Sequence, residues 1–241
     1  MAAVVGAAPP ATLSDEFDAA GLAGWSSMSG DVVSGSDRVS VANGVLTITS
    51  AQASWVRTAR AYYLWKRVSG DFTVTTRLRA RGTEGATPAA DWSLAGLLVR
   101  RPVADSNRAE NWIGWTTGGV GGRQVFERKT TRHSVSILDL LDARTGWLEL
   151  RIARVGPRFL LLHRYDDGAW RLDWAYWRDD LPRTLQAGLD VQSGWNDTHA
   201  DLVADVDWVR FAPTGIPPRL RARFAAGVAT PAQVLRYLTR E

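Results

Sequence analysis

The chain has 241 residues, 45% of them hydrophobic and 22% charged, with a formal net charge of +4 and no cysteine. That length and apolar content support a sizeable core, and the missing cysteine excludes disulfides and cysteine-ligated zinc. No window approaches the roughly 20 apolar residues of a membrane-spanning helix. The charge excess lies after Thr214, where five arginines face one glutamate, so the balanced remainder offers no basic stripe for nucleic acid.

In chain order, the small apolar start "MAAVVGAAPPAT" lacks a basic n-region and reads as a flexible arm over 1–12 rather than a signal peptide. "RVSVANGVLTIT" (38–49) is strand, Asn43-Gly44 turn, strand. "GDFTVTTRLRAR" puts Phe72, Val74 and Leu78 on one face and Thr73, Thr75, Arg77 and Arg79 on the other. "SLAGLLVRR" is almost continuously apolar, as a strand in mid-sandwich is. "WIGWTT" and "RQVFERKT" flank "GGVGG", read as a flexible loop. The stretch from 146 to 177 is a meander with Val-Gly-Pro and Asp-Asp-Gly turns, and "LQAGLDV" and "ADVDWVRF" are the last two strands. Trp208 alternates with Val206 and reads as core.

Ten to thirteen strands with no helix before residue 213 make an antiparallel two-sheet β-sandwich spanning 13–213. The basic tail, 214–241, changes to helical period. "RLRARFAAG" is two turns ending at Gly227. "TPAQVLRYL" carries Thr230 as N-cap, Pro231 at N1 and Gln233 at N3. This helix is too short to stand alone, so it either docks on the sandwich or meets a protein partner.

Several stretches together resemble the concanavalin A-like lectin/glucanase superfamily, closest to its bacterial DUF1349-like jelly rolls. They are "LSDEFD" (13–18), "ANGVLTI" (42–48), "VSGDFTVTTRL" (68–78), "AGLLVRR" (95–101), "NWIGW" (111–115), "WLELRIARVGPRFLLLHRYDDGAW" (147–170), "DLPRTLQAGL" (180–189) and "DVDWVRF" (205–211). The resemblance covers 13–212. It implies a jelly-roll sandwich but no single chemistry, because lectins, carbohydrate-binding modules, hydrolases and lyases share it. It also implies a structural Ca²⁺ held by Glu16, the Gly44 carbonyl and Asp207, and an extracellular or periplasmic setting.

Three functions follow. In the first, the concave face binds carbohydrate without catalysis. Indoles stack on sugar rings while short polar groups meet hydroxyls. "NWIGW" and "SGWND" supply Asn111, Trp112, Trp115, Trp195 and Asp197, with Arg100, Glu127 and His163 as further ligand contacts. The structural alternative is that these tryptophans seal the ends of the sandwich. In the second, a glycan lyase or atypical glycosidase uses His163, Tyr165 and Arg100, with an Arg neutralising a carboxylate and a His or Tyr moving a proton. The Glu-x-Asp-x-x-Glu run common in hydrolases of the superfamily is absent, Glu127 and Glu149 being isolated, and an isolated Glu between arginines also reads as a cross-strand ion pair. His163 continues an apolar stripe with Phe159 and Leu161, which also reads as core or rim. In the third, the tail is an interaction element. No organic cofactor motif is present: "GGVGG" lacks the Lys-Ser/Thr of a phosphate loop.

Overall fold

A computed structural model of the chain describes residues 10–19, 21–28, 38–50, 55, 61–102, 109–194 and 200–240. Alternating apolar residues give strands wherever one face of the backbone is buried. Fourteen strands occur among the described residues: β1 (Ser26–Met28), β2 (Arg38–Ala42), β3 (Val45–Thr49), β4 (Tyr62–Ser69), β5 (Phe72–Arg81), β6 (Ser93–Arg100), β7 (Trp112–Val120), β8 (Arg123–Arg132), β9 (Val135–Asp142), β10 (Leu148–Val155), β11 (Arg158–Tyr165), β12 (Arg171–Trp177), β13 (Thr184–Gln192) and β14 (Val203–Ala212). They form two seven-stranded antiparallel sheets. Sheet I has the order β1-β4-β13-β6-β7-β8-β9 and sheet II the order β12-β11-β10-β5-β14-β3-β2. The expected two-sheet sandwich is the observed fold. Of the arm read at 1–12, residues 10–12 belong to a 3-10 turn, Pro10–Leu13, and 1–9 lie outside the described residues.

The core lies between the sheets. Leu64, Leu97, Leu185, Leu189 and Ile113 of sheet I face Phe72, Leu78, Leu150, Ile152 and Leu161 of sheet II. The continuous apolar strand at 93–100 is β6, the centre of sheet I, and it is buried throughout. Asn43 and Gly44 take positive φ (53° and 73°), the conformation a two-residue hairpin turn needs.

Two sequence expectations change. "GGVGG" is not a loop: Gly118–Val120 extend β7, and Gly121 and Gly122, both at positive φ, make a tight turn into β8. Trp208 does not face the core. The pairing of β14 with β5 shifts between Val206 and Trp208, so Val206 pairs with core-facing Leu78 while Trp208 pairs with outward Arg77. A bulge adds a residue and reverses the alternation beyond it.

The tail forms α1 (Pro218–Ala225) and α2 (Pro231–Leu238), and α2 opens on the expected capping box, in which the Gln233 side chain accepts the Thr230 N–H at 2.9 Å. Both helices pack on the outer face of sheet II. Phe224, Val234 and Leu238 bury against Ala153, Val155, Leu160 and Leu162. The docked alternative is the observed one.

Candidate functional site

The strands of sheet I carry polar residues where alternation points them away from the core. On β13, Leu185, Ala187, Leu189 and Val191 are core, and Gln186, Gly188, Asp190 and Gln192 face outward. Register extends this into rows. Tyr63, Asp190, Gly96, Thr116 and Glu127 lie side by side across β4, β13, β6, β7 and β8. The next row on this face holds Gly188, Leu98, Gly114 and Lys129, and the one after it Gln186, Arg100, Trp112 and Thr131.

These groups are outward but not exposed. Trp55 lies over them with only 1% of its surface accessible. Its indole meets Tyr63 and Trp112 edge-on, each at 5.7 Å between ring centroids. Its backbone N–H donates to Gln192 Oε1 at 2.8 Å, and its carbonyl accepts from Lys129 Nζ. Arg100 donates to Gln186 Oε1 at 2.6 Å and lies 5.0 Å from the Tyr63 ring centroid. Lys129 is 3.7 Å from Glu127.

Burial sets the electrostatics. Asp190 is held well above the usual carboxylate range by desolvation, reinforced by the negative charge of Glu127. Glu127 is raised by desolvation, against which Lys129 pulls downward. The Arg100 guanidinium is lowered by burial. Four buried polar atoms on this face, Glu127 Oε2, Asp190 Oδ1, Thr116 Oγ1 and Trp112 Nε1, have no hydrogen-bond partner among the described residues. Each such orphan costs about 1–3 kcal/mol.

Several solved structures share this architecture. A GH43 protein from Bacillus licheniformis, BlXynB, superposes with a TM-score of 0.63 at 16% identity over 83% of this chain, which spans 39% of that protein. A β-1,3-glucanase from Mycobacterium marinum matches with a TM-score of 0.53 at 16% identity, over 84% of this chain and 98% of its own. An immunostimulatory antigen and pseudo β-1,3-glucanase of Mycobacterium tuberculosis matches with a TM-score of 0.54 at 15% identity, over 83% and 97%. The chain has a glucanase-like β-sandwich fold. No protein-family model matches the chain and no curated sequence matches it, so nothing narrower than the fold, such as the DUF1349-like pattern, is carried by these comparisons.

Of the residues read as ligand contacts, the fold brings together Arg100, Trp112 and Glu127 on the outer face of sheet I. Asn111, just before β7, braces a loop: its Oδ1 accepts the His133 N–H at 3.0 Å. Trp115 faces inward. It is fully buried, stacks on Phe126 at 5.0 Å and donates from Nε1 to the Leu162 carbonyl of sheet II at 2.9 Å. It is a core residue, because odd positions of β7 face the interlayer. Trp195 and Asp197 lie outside the described residues.

The catalytic set does not converge. His163 and Tyr165 belong to sheet II, in line with the inward-facing Phe159 and Leu161, whereas Arg100 faces outward on sheet I. His163 pairs with Asp173 at 2.7 Å and packs on Phe126 at 4.6 Å, as a rim residue of the core does.

The calcium set is engaged otherwise. Glu16 gives both carboxylate oxygens to Arg210, at 2.7 and 2.8 Å, and Asp207 accepts from Arg77 at 2.9 Å. Ca²⁺ needs six to eight oxygens free of competing cations, so this arrangement does not fit it.

The residues that sequence reasoning missed on this face are Trp55, Tyr63, Lys129, Gln186, Asp190 and Gln192. A signal existed: polar residues at every second position of an otherwise apolar strand, as in 186–192, mark an outer face.

Proposed function

We propose that the outer face of sheet I binds a glycan without cleaving it. The observation that supports this is the row of buried polar atoms with unused hydrogen-bonding capacity, Glu127 Oε2, Asp190 Oδ1 and Thr116 Oγ1, beside the aromatic rings of Tyr63 and Trp112. Sugar hydroxyls both donate and accept, so they can satisfy carboxyl oxygens and a threonine hydroxyl together. Aromatic rings supply the apolar platform. A ring reaching this row takes the place of the Trp55 indole.

Binding rather than hydrolysis is favoured by what stands beside the carboxyls. Lys129, not an acid, follows Glu127 on the same face of β8. That one sandwich carries a protein named as a glucanase and one named as a pseudo-glucanase agrees with chemistry being decided by such details.

The test is a glycan array with the purified chain, the bound glycans then being weighed by mass spectrometry. Intact bound glycans are expected. Thr116→Val keeps the shape, removes one orphan hydroxyl and leaves stability equal or higher, yet weakens binding several-fold. Cleaved products would overturn the non-catalytic reading, and an empty array would overturn the glycan itself.

A further inference from the structure

The tail packed on sheet II leaves a cleft beside it, on the opposite side of the molecule from the outer face of sheet I. The cleft measures about 400 Å³ and lies between the bare part of sheet II and the end of α2, within the size range of small-molecule sites. Its lining is dominated by arginine: Arg77 from β5, Arg151 from β10, Arg164 from β11, Arg210 from β14 and Arg240 just beyond α2, against a single acid, Glu149.

These guanidiniums are held in place. Arg77 donates Nε and Nη2 to Asp166 and Nη1 to Asp207. Arg210 donates to Glu16 and lies 4.2 Å from the Trp208 ring centroid. Arg164 donates to Glu149 at 2.9 Å. Arg151 donates to Thr75 Oγ1 at 2.7 Å and to the Leu238 carbonyl, tying the sheet to the helix. Arg240 sits 4.9 Å from the Tyr237 ring centroid. Even with Asp166, Asp207 and Glu16 counted, guanidiniums outnumber carboxylates. Each guanidinium has five N–H donors, so Arg77 and Arg210 keep donors beyond those their carboxylates use. Those carboxylates are substantially exposed, Asp166 at 54% and Glu16 at 44%, so solvent screens each pair and the free edge of each guanidinium stays open to an incoming anion. The cleft is larger than a bare oxyanion requires, and Glu149 and the Thr73 hydroxyl add hydrogen-bonding groups of the kind that meet ligand hydroxyls.

We propose that this cleft binds a hydroxyl-bearing small molecule with one oxyanion, a carboxylate or phosphate as in a sugar acid or sugar phosphate, through Arg77, Arg210 and Arg240. It does not depend on the glycan reading of sheet I, which concerns the other face.

The experiment is calorimetric titration of the full chain at low salt with glucuronate, glucose 6-phosphate, glucose and inorganic phosphate. Saturable binding of glucuronate or glucose 6-phosphate is expected, with the tighter of the two identifying the natural oxyanion. Tenfold or greater weakening is expected in Arg210→Gln/Arg240→Gln, whose altered side chains are exposed and leave the fold intact. Trp112→Phe, altered only on sheet I, leaves this binding unchanged. No saturable binding to either anion would overturn the proposal, as would equal binding of glucose, equal binding of inorganic phosphate, or an unaffected double variant.

Discussion

Trp115 separates two roles that its sequence context left open, platform and core. It is fully buried, stacks on Phe126 and bridges the sheets through one hydrogen bond to Leu162 O. Truncation to alanine removes the largest ring between β7 and β11 and leaves a cavity, at about 3–5 kcal/mol for such changes. The lost bond leaves the Leu162 carbonyl unpaired, adding about 1 kcal/mol. Trp115→Ala therefore loses about 4–6 kcal/mol, a large share of the roughly 5–15 kcal/mol of a typical domain. Trp115→Phe keeps most of the packing and loses about 1–2 kcal/mol, mainly the hydrogen bond. Equilibrium urea unfolding reads this directly. With an m value of about 2.5 kcal/mol per M, the alanine midpoint falls by roughly 1.5–2.5 M. A fall below about 0.5 M, accompanied by loss of glycan binding, would refute the core placement and restore the indole to a binding face.

Other consequences follow from the same geometry. Asp190 has a folded-state pKa raised by burial, so the folded protein holds its proton while the unfolded chain releases it above about pH 4. Stability is thus lost as pH rises from the unfolded value towards the folded one, and Asp190→Asn removes that loss. The variant should melt at least ~2 °C higher at pH 7 and show no advantage near pH 3.5; a lower melting point at pH 7 would contradict the burial argument. Phe224→Ala, in the docked tail, should cost about 3–5 kcal/mol in the same urea assay, and no change would mean the tail does not pack on sheet II. Trp55→Ala uncovers the polar row and should tighten glycan binding, whereas weaker binding would make Trp55 a contact rather than a cover. Chelation with EDTA should leave the melting temperature unchanged, since Glu16 and Asp207 are engaged by arginines; a calcium-dependent rise of several degrees would show that a cation displaces them.

What the chain by itself determined was local. Period-two patterning marked most of the strands, Asn43-Gly44 specified a tight hairpin, and Thr230, Pro231 and Gln233 marked the start of α2. Each is decided by neighbours within a few residues, where steric and hydrogen-bonding rules act directly. Tertiary structure decided the rest. β13 inserts between β4 and β6, some 90 to 120 residues earlier in the chain, and only that pairing places Asp190 in one row with Glu127. One extra residue at Asp207 turned Trp208 from the core to the arginine-lined cleft, a reversal that alternation alone cannot register. His163 and Arg100 each sat on a legible strand, but only packing assigns strands to sheets, and it put these two on different sheets and opposite faces. A site is a meeting of distant segments, and the free energy that selects the meeting comes from burying their shared apolar faces, not from the spacing of the residues that do the binding.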